Sequence, residues 1–531
     1  MNYTIEQITV LMGARRYGSR AASIGFLLTD SRSLCFPEET LFFALVTRQG
    51  DGHKYIDELY RRGVRNFVVS HSETVSDAYV DANFLLVEDT LVALQRLSER
   101  HRDEFDIPVI GITGSNGKTM VKEWLYQILR ESPLLASPKG EGEKGSGSLG
   151  VTRSPRSYNS QIGVPLSVWL LNERSRLALF EAGISQPGEM AALHDIIQPT
   201  IGVLTHLGPA HQENFRSMEE KCLEKMQLFH DTEAVIYCTD DETVSHCMRR
   251  SGYRGKRIGW SRKDPQAAMY IQGVQGEHST LHIPHSTISF VFQGAEDSFT
   301  IPFIDEASVE NAITTATVAL YLGVKPEELA ACMAHLEPVA MRLEVMDGRN
   351  GCTLINDSYN SDINSLDIAL DFMQRRSGGG TLILSDIYQS GMNKEELYRQ
   401  VMELAVKRGV RKFIGIGPEL KRMAAMGVLQ PSSLIPHPSS FFETVEEFLR
   451  SCVFASLRNE VILIKGARAF GFDRITEQLS NQVHETTLEV NLNAVVENLN
   501  RHRAFLRPET KLVCMIKASN RRKEYTSGSN R

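Results

Sequence analysis

Residues 109–119, VIGITGSNGKT, run from an apolar stretch into a glycine-rich turn and then into a helix beginning near Met120. A strand, turn and helix in that order can hold phosphate, because backbone N–H groups point outward at the positive end of the helix. Gly114 and Gly117, with Ser115 and Asn116 between them, would bring those groups close with no Cβ in the way. Lys118 would reach the terminal phosphates, and the Thr119 hydroxyl would hold Mg²⁺. The full GxxxxGK[ST] pattern is not met, since Ile112 stands where its first glycine belongs. A strand-to-helix turn with no ligand is the alternative reading; the buried strand and the helix around the turn favour nucleotide phosphate.

The elements that must position this turn are those of an α/β protein. A chain of 531 residues, 42% hydrophobic and 23% charged, exceeds one ordinary core, and three domains are expected. Up to about residue 106, short apolar runs (23–29, 41–46, 66–70) alternate with helical patterns such as 56–62, as in a small α/β unit. From 107 to 338, near-continuous apolar strands at 109–112, 177–180, 201–204 and 234–237 predict a parallel sheet covered on both faces, with ligands at its carboxyl ends. A helix is expected at 309–322. A third, Rossmann-like series fills 339–482, with strands at 353–355, 381–384, 412–416 and 461–464 and helices at 394–407 and 444–452. Residues 132–157 are rich in Gly, Ser, Pro and Lys and read as a mobile loop without a catalytic part, and residues 520–531 read as a disordered tail.

Composition removes several classes of function. A net charge of −7 argues against a nucleic-acid-binding surface. Eight scattered cysteines with no CxxC pair exclude a structural zinc site and fit a reducing compartment. The start of the chain is not leader-like and no run of about 18 apolar residues occurs, so a cytoplasmic protein with no membrane insertion is expected.

TGSNGKT closely resembles the TGTNGKT phosphate loop of the Mur ligases and their folylpolyglutamate synthetase relatives. Downstream, FEAGISQPGEM is similar to the family's E-x-G segment, which implies that Glu181 binds magnesium; a strand-end carboxylate beside a phosphate turn also suits a hard cation on physical grounds. IGVLTHLGPAHQENF resembles the string that carries the family's metal-binding histidine, here His211. CLEKMQLF is similar to A-x-A-K-x-E-I, which implies that Lys225 is the lysine carbamylated in most members. Carbamylation turns a cation into a carboxylate-like ligand, so two Mg²⁺ ions are expected. By composition alone Lys225 is an exposed helix lysine, and Lys221 competes for its role.

SVENAITTATVAL resembles the family's H-N-V-x-N-A helix, which implies an adenine contact for Asn311, although Ala307 and Ser308 replace the His and first Asn. Arg342 matches the arginine that meets the nucleotide. INDSYNSDINSLDIAL is similar to D-x-Y-N-A-N-P-x-S, implying Asp357 on the ribose of ATP, Tyr359 beside it and Asn360 toward substrate, with Asp362 and Ile363 departing from the pattern. LSDIYQSG keeps Asp386 of the family's GDMxELG with Gln389 for Glu, and LIKGARAF keeps Lys465 and Arg468 of LVKGSR; substrate or closure contacts are implied.

TDSR and GDGHKY resemble the uridine-nucleotide-binding front domain of the MurF type, which implies substrate contacts at Ser31, Arg32, Asp51, Gly52 and His53; YNSQIGVPL adds Asn159. The resemblance implies three domains (1–106, 107–338, 339–482) in a monomer. It also implies an ATP-dependent ligase joining D-alanyl-D-alanine to UDP-N-acetylmuramoyl-tripeptide, with Lys118, Glu181, His211 and Lys225 carrying the chemistry. A ligase adding a single amino acid and a nucleotide-binding scaffold without catalysis are the alternatives. Finally, residues 487–519 resemble the opening of an alanine racemase, with Lys517 at the pyridoxal phosphate lysine. Such a lysine needs a (β/α)₈ barrel of about 250 residues, so the segment reads as a truncated fusion with no bound pyridoxal phosphate.

Overall fold

Strand Val109–Thr113 is buried along its whole length and pairs in parallel with Leu177–Glu181 on one side and Ile201–Leu204 on the other. The chain order reverses there, so a crevice opens at the strand's carboxyl end, where a parallel sheet places its ligands. The computed structural model describes residues 2–47, 50–76, 78–130, 132, 150–209, 212–277, 285–339, 343–358, 362–387, 392–429, 435–436 and 438–480. Residues 487–519, with Lys517, and the stretch 133–149 of the expected loop lie outside them.

Nine strands make up this central sheet. From Val151–Arg153 through Leu177–Glu181, Val109–Thr113, Ile201–Leu204, Ala234–Cys238, Lys256–Ser261 and Met269–Glu277 the pairing is parallel. His285–Phe292 and Ala295–Ile301 then add an antiparallel meander. The expected parallel sheet is thus extended by this meander, and burial alternates along most of His285–Phe292, the pattern of a sheet with one solvated face. Apolar clusters cover the two faces of the parallel part: Val121, Trp124, Leu125 and Ile313 on one, Phe180, Leu193, Ile197 and Phe229 on the other. Helix Glu306–Tyr321 is buried nearly all round, which explains its weak amphipathic pattern.

The six-stranded sheet that follows runs Glu344–Asp347, Thr353–Asp357, Val461–Lys465, Thr381–Ser385, Lys412–Ile416, Ser440–Phe442, parallel except for its first pair. Asp357 and Lys465 are register partners at neighbouring carboxyl ends. Helix Lys394–Lys407 matches expectation, whereas the helix expected at 444–452 divides into Val445–Leu449 and Cys452–Ala455. Ser451 begins a new turn by accepting the Phe454 N–H.

The front sheet orders Arg15–Tyr17, Asn83–Leu86, Asn66–Val69, Thr40–Phe43 and Phe26–Leu28. The apolar run at 23–29 is shared between two sheets: Ser23–Ile24 pairs with Tyr3–Thr4 and Phe26–Leu28 joins the five strands. Gly25 between them accepts the Trp169 indole N–H at 3.0 Å, tying the front sheet to helix-end residues of the central region. Beside it, buried His101 lies 2.8 Å from the Tyr3 hydroxyl through Nδ1 and 3.1 Å from the Leu171 carbonyl through Nε2. A carbonyl only accepts, so Nε2 carries the proton and Nδ1 accepts from Tyr3. Burial drives the His101 pKa down to about 4 and that of Tyr3 up to about 12, and both groups are neutral in the folded protein.

Because unfolding lets His101 titrate near its usual 6.5, the unfolded chain binds an extra proton between that value and about 4. Stability is therefore full above pH 6.5 and falls as pH drops through this window, by roughly 3 kcal/mol in all. Urea unfolding from pH 7 to 4 should show a steeper loss for the wild type than for His101→Phe, which cannot take up that proton.

Candidate active site

The turn after Val109–Thr113 is clamped from two sides. Gly114 and Gly117 have φ of 146° and 87°, in the region glycine tolerates. A Cβ on Gly114 would lie 2.0 Å from Thr205 Oγ1, and one on Gly117 would lie 2.1 Å from Asn311 Oδ1. The Thr205 hydroxyl donates to the Asn116 carbonyl at 2.6 Å, while Ser115 and Asn116 N–H donate to the His206 carbonyl at 2.8 and 3.3 Å. The residues just past strand Ile201–Leu204 thus fix the turn, and helix Lys118–Leu129 starts at its end, at Lys118. The turn forms one wall of a cavity of about 630 Å³, a volume suited to a nucleotide. Gly183 to Ser185, the first turns of helix Glu306–Tyr321, and Asp357, Ser365, Asp367 and Lys465 complete it.

At the inner end stands Glu181, wholly buried. Its Oε2 accepts from the Thr119 hydroxyl at 3.0 Å and from Asn159 Nδ2 at 3.3 Å. Its Oε1 has the Lys122 ammonium 3.0 Å away but no aligned hydrogen bond. A hydroxyl and a buried carboxylate, side by side at a phosphate turn, fit a hard divalent cation such as Mg²⁺. His211 and Arg342 lie outside the described residues, as do Tyr359 and Asn360.

Three lysines gather under the turn. Lys118 Nζ donates to the Gly114 and Ser115 carbonyls at 2.8 and 3.2 Å, and Lys225 Nζ reaches the Gly114 carbonyl at 3.2 Å. Lys221 Nζ donates to the Gly208 carbonyl at 2.6 Å. Burial first, then the charges of Lys118 and Lys221, hold Lys225 well below the ordinary lysine pKa. Burial likewise brings Lys221 to about 8. Lys225 is thus a buried amine whose charged form is disfavoured, and not the exposed helix lysine that composition describes. Across the cavity, buried Lys465 donates to Asp357 Oδ2 at 2.7 Å.

Residues 112–319 match the Mur ligase middle domain and residues 341–468 the Mur ligase glutamate ligase domain, together more than half of the chain. The chain belongs to the Mur ligases. The UDP-N-acetylmuramoyl-tripeptide–D-alanyl-D-alanine ligase of Bacillus subtilis is 25% identical over 459 residues, which cover 85% of this chain and 92% of that protein. MurF from Acinetobacter baumannii superposes with a TM-score of 0.71 at 20% identity, over 90% of this chain and 99% of its own. MurF from Thermotoga maritima in complex with ADP gives 0.65 at 19%, over 88% and 97%. These structures share the fold of this Mur ligase.

Other expected residues divide by location. Asn311 lines the cavity, but its side chain packs on Gly117 and so supports the turn. Asp386 is not among the lining residues: its two oxygens accept the Glu419 and Leu420 N–H at 3.0 and 2.8 Å, capping helix Pro418–Ala425. Arg468 opens the turn Arg468–Phe470, and its side chain lies outside the described residues.

In the front sheet Ser31 is buried with its carbonyl held by Arg62 at 2.8 Å, while exposed Arg32 pairs with Asp30. Asp51 accepts from the His53 backbone at 2.9 Å and lies 2.6 Å from its Nδ1, capping the turn that Gly52 begins. His53 Nε2 accepts the Ser70 N–H at 3.1 Å, and the His71 ring stacks on His53 at 4.1 Å and 14°. The three side chains are close enough to suggest a metal site. Near-parallel rings, however, cannot aim their in-plane lone pairs at one ion, and both nitrogens of His53 are already used. They form a polar clasp.

Sequence reading left out Lys122, Thr205, His206 and the run 154–157. Part of the stretch expected to be a loop without catalytic part is an edge strand, Val151–Arg153, followed by Ser154, whose hydroxyl accepts the Glu181 N–H at 3.2 Å, and Ser157, whose hydroxyl meets Thr119 at 2.9 Å. Glycine and proline there shape a close approach to the site.

The Gly117→Ala variant adds a Cβ where Asn311 and a positive φ both forbid it. Calorimetric titration should show ATP binding weakened by roughly tenfold or more, while the circular dichroism spectrum is retained.

Proposed function

We propose that this Mur ligase joins D-alanyl-D-alanine to UDP-N-acetylmuramoyl-tripeptide at the expense of ATP, through an acyl phosphate. The observation that carries the reading is the cavity in which the phosphate turn, Thr119 and Lys225 face Asp357 and Lys465, with Glu181 buried behind Thr119. A carboxylate is a poor electrophile, and phosphorylating it supplies a leaving group for attack by an amine. Lys118 is placed to leave its carbonyl partners for the terminal phosphates, where its charge offsets what develops on the transferring phosphoryl. Thr119 and Glu181 would hold Mg²⁺, which supplies Lewis-acid neutralisation of the phosphates when bound; His211 is assigned the same role. Asp357, at the opposite wall, is suited to the ribose.

Lys225 fits carbamylation for a physical reason. Burial and the neighbouring like charges favour its free amine, whose nitrogen attacks the carbon of CO₂ with release of one proton. The product is an anion set between two cations, so the carbamate is attracted by Lys118 and Lys221 and supplies a further oxygen ligand. The front clasp of Asp51, Gly52 and His53, with Ser31 and Arg32, is assigned to the uridine nucleotide, and Asn159 to the peptide end.

Phosphate release measured with ATP and UDP-N-acetylmuramoyl-tripeptide should require D-alanyl-D-alanine and should not respond to single amino acids; turnover with a single amino acid but not the dipeptide overturns the assignment. With ¹³C-bicarbonate, a carbamate resonance should appear in the wild type, vanish in Lys225→Ala and persist in Lys221→Ala. Stripping CO₂ should lower the wild-type rate in step with the loss of that resonance.

A further inference from the structure

Lys122 lies one helical turn beyond Lys118 and is wholly buried, yet it is no simple core residue. Its ammonium sits 3.0 Å from Glu181 Oε1 and 2.9 Å from Glu123 Oε1, and it donates to the Ser154 carbonyl at 2.7 Å and to the Arg156 carbonyl. Arg156 has a φ of 51°, unusual for a residue with a side chain, and this backbone turns its carbonyl to the lysine. Glu123 in turn meets Arg153 at 3.0 Å. Four charges of alternating sign therefore run outward from the site: Glu181, Lys122, Glu123, Arg153.

We propose that Lys122 is a positioning residue that decides how and when Glu181 takes a divalent cation. The proposal rests on the reading of Glu181 as a metal ligand. By holding Oε1, the ammonium leaves Oε2, the oxygen beside Thr119, as the one that faces the cation. By cancelling the carboxylate's charge inside a region without solvent screening, it also sets repulsion against the attraction that a free dication would feel. The cation then gains enough to bind only when nucleotide phosphates add their negative charge, so metal enters with nucleotide. Glu123 moderates this control, because it draws on the same ammonium; Arg153 limits how much.

Mn²⁺ binding to the full chain, read by electron paramagnetic resonance without nucleotide and then with ADP, tests the idea. Without nucleotide, wild type should bind Mn²⁺ weakly and Lys122→Met about tenfold more tightly or better. Glu123→Gln should weaken binding several-fold, and Lys122→Arg should behave as wild type. Adding Glu181→Gln to Lys122→Met should abolish the gain. A part in folding alone would not move Lys122→Met and Glu123→Gln in opposite directions. Lys122→Met with wild-type thermal stability and unchanged or weaker Mn²⁺ affinity overturns the proposal. Should Lys122→Met fail to fold, Glu123→Gln decides, and unchanged or tighter binding there is equally fatal. If Glu181→Gln leaves Mn²⁺ binding with ADP unaltered, the metal reading itself fails; if it removes that binding while Lys122→Met without nucleotide stays weak, only the part given to Lys122 does.

Discussion

Lys118, Lys221 and Lys225 converge on one glycine turn, and most of the site follows from the need to accommodate that positive charge. Two of the three side-chain amines share the Gly114 carbonyl, and the third is held by Gly208. Carbonyl dipoles solvate a cation only in part, so like charges this close and this buried push one of the amines toward neutrality, and burial singles out Lys225. The same deficit makes the empty side of the turn attractive to polyphosphate, and backbone N–H groups at the helix start add to it. Affinity for anions and readiness for carbamylation are thus two results of one electrostatic arrangement.

The turn can hold that charge because its backbone is clamped. Strand order places it at the switch point, the Thr205 hydroxyl and the His206 carbonyl tie it on one side, and Asn311 closes it on the other. Thr205 and Asn311 occupy the space that a Cβ at Gly114 and at Gly117 would fill. Glycine at 114 and 117 is therefore demanded by neighbours distant in sequence as much as by the local φ, and the preference for phosphate is fixed before any ligand arrives.

Much of this was legible in the sequence, for physical reasons that also mark where reading stops. Strands Ile201–Leu204 and Lys412–Ile416 were expected to the residue because buried parallel strands are uninterrupted apolar runs with polar ends. The meander Met269–Glu277 to Ala295–Ile301 was not, since its half-solvated strands dilute the apolar signal with Gln, Ser and Thr. In the candidate site, Lys118 and Thr119 at the helix start and Glu181 at its strand end stand where their sequence positions led one to expect. Lys122 could not be expected there, because a lysine in an apolar helix reads as a surface residue until the fold shows two carboxylates and two carbonyls around it. Asp386 fails in the opposite sense: its motif resemblance is real, but the carboxylate is consumed by the helix start at Pro418.

The cavity is also divided between two sheets, so neither makes the site alone. Asp357 and Lys465, register partners on neighbouring strands, form a buried ion pair on the far wall. Such a pair regains little more than its desolvation cost, so stability is a poor reason for its place there. Its value is orientation: the lysine pins one oxygen of a carboxylate that lines the cavity. Lys122 does the same to Glu181 on the near wall, where Thr119 and Asn159 engage the second oxygen. Each acid thus has one oxygen committed to a buried lysine. A flexible polyanion with bound cations can be held in one pose there, because Asp357 cannot rotate without leaving the Lys465 ammonium buried without its carboxylate, which costs several kcal/mol (about 3–5), and Glu181 cannot rotate without giving up Thr119 and Asn159.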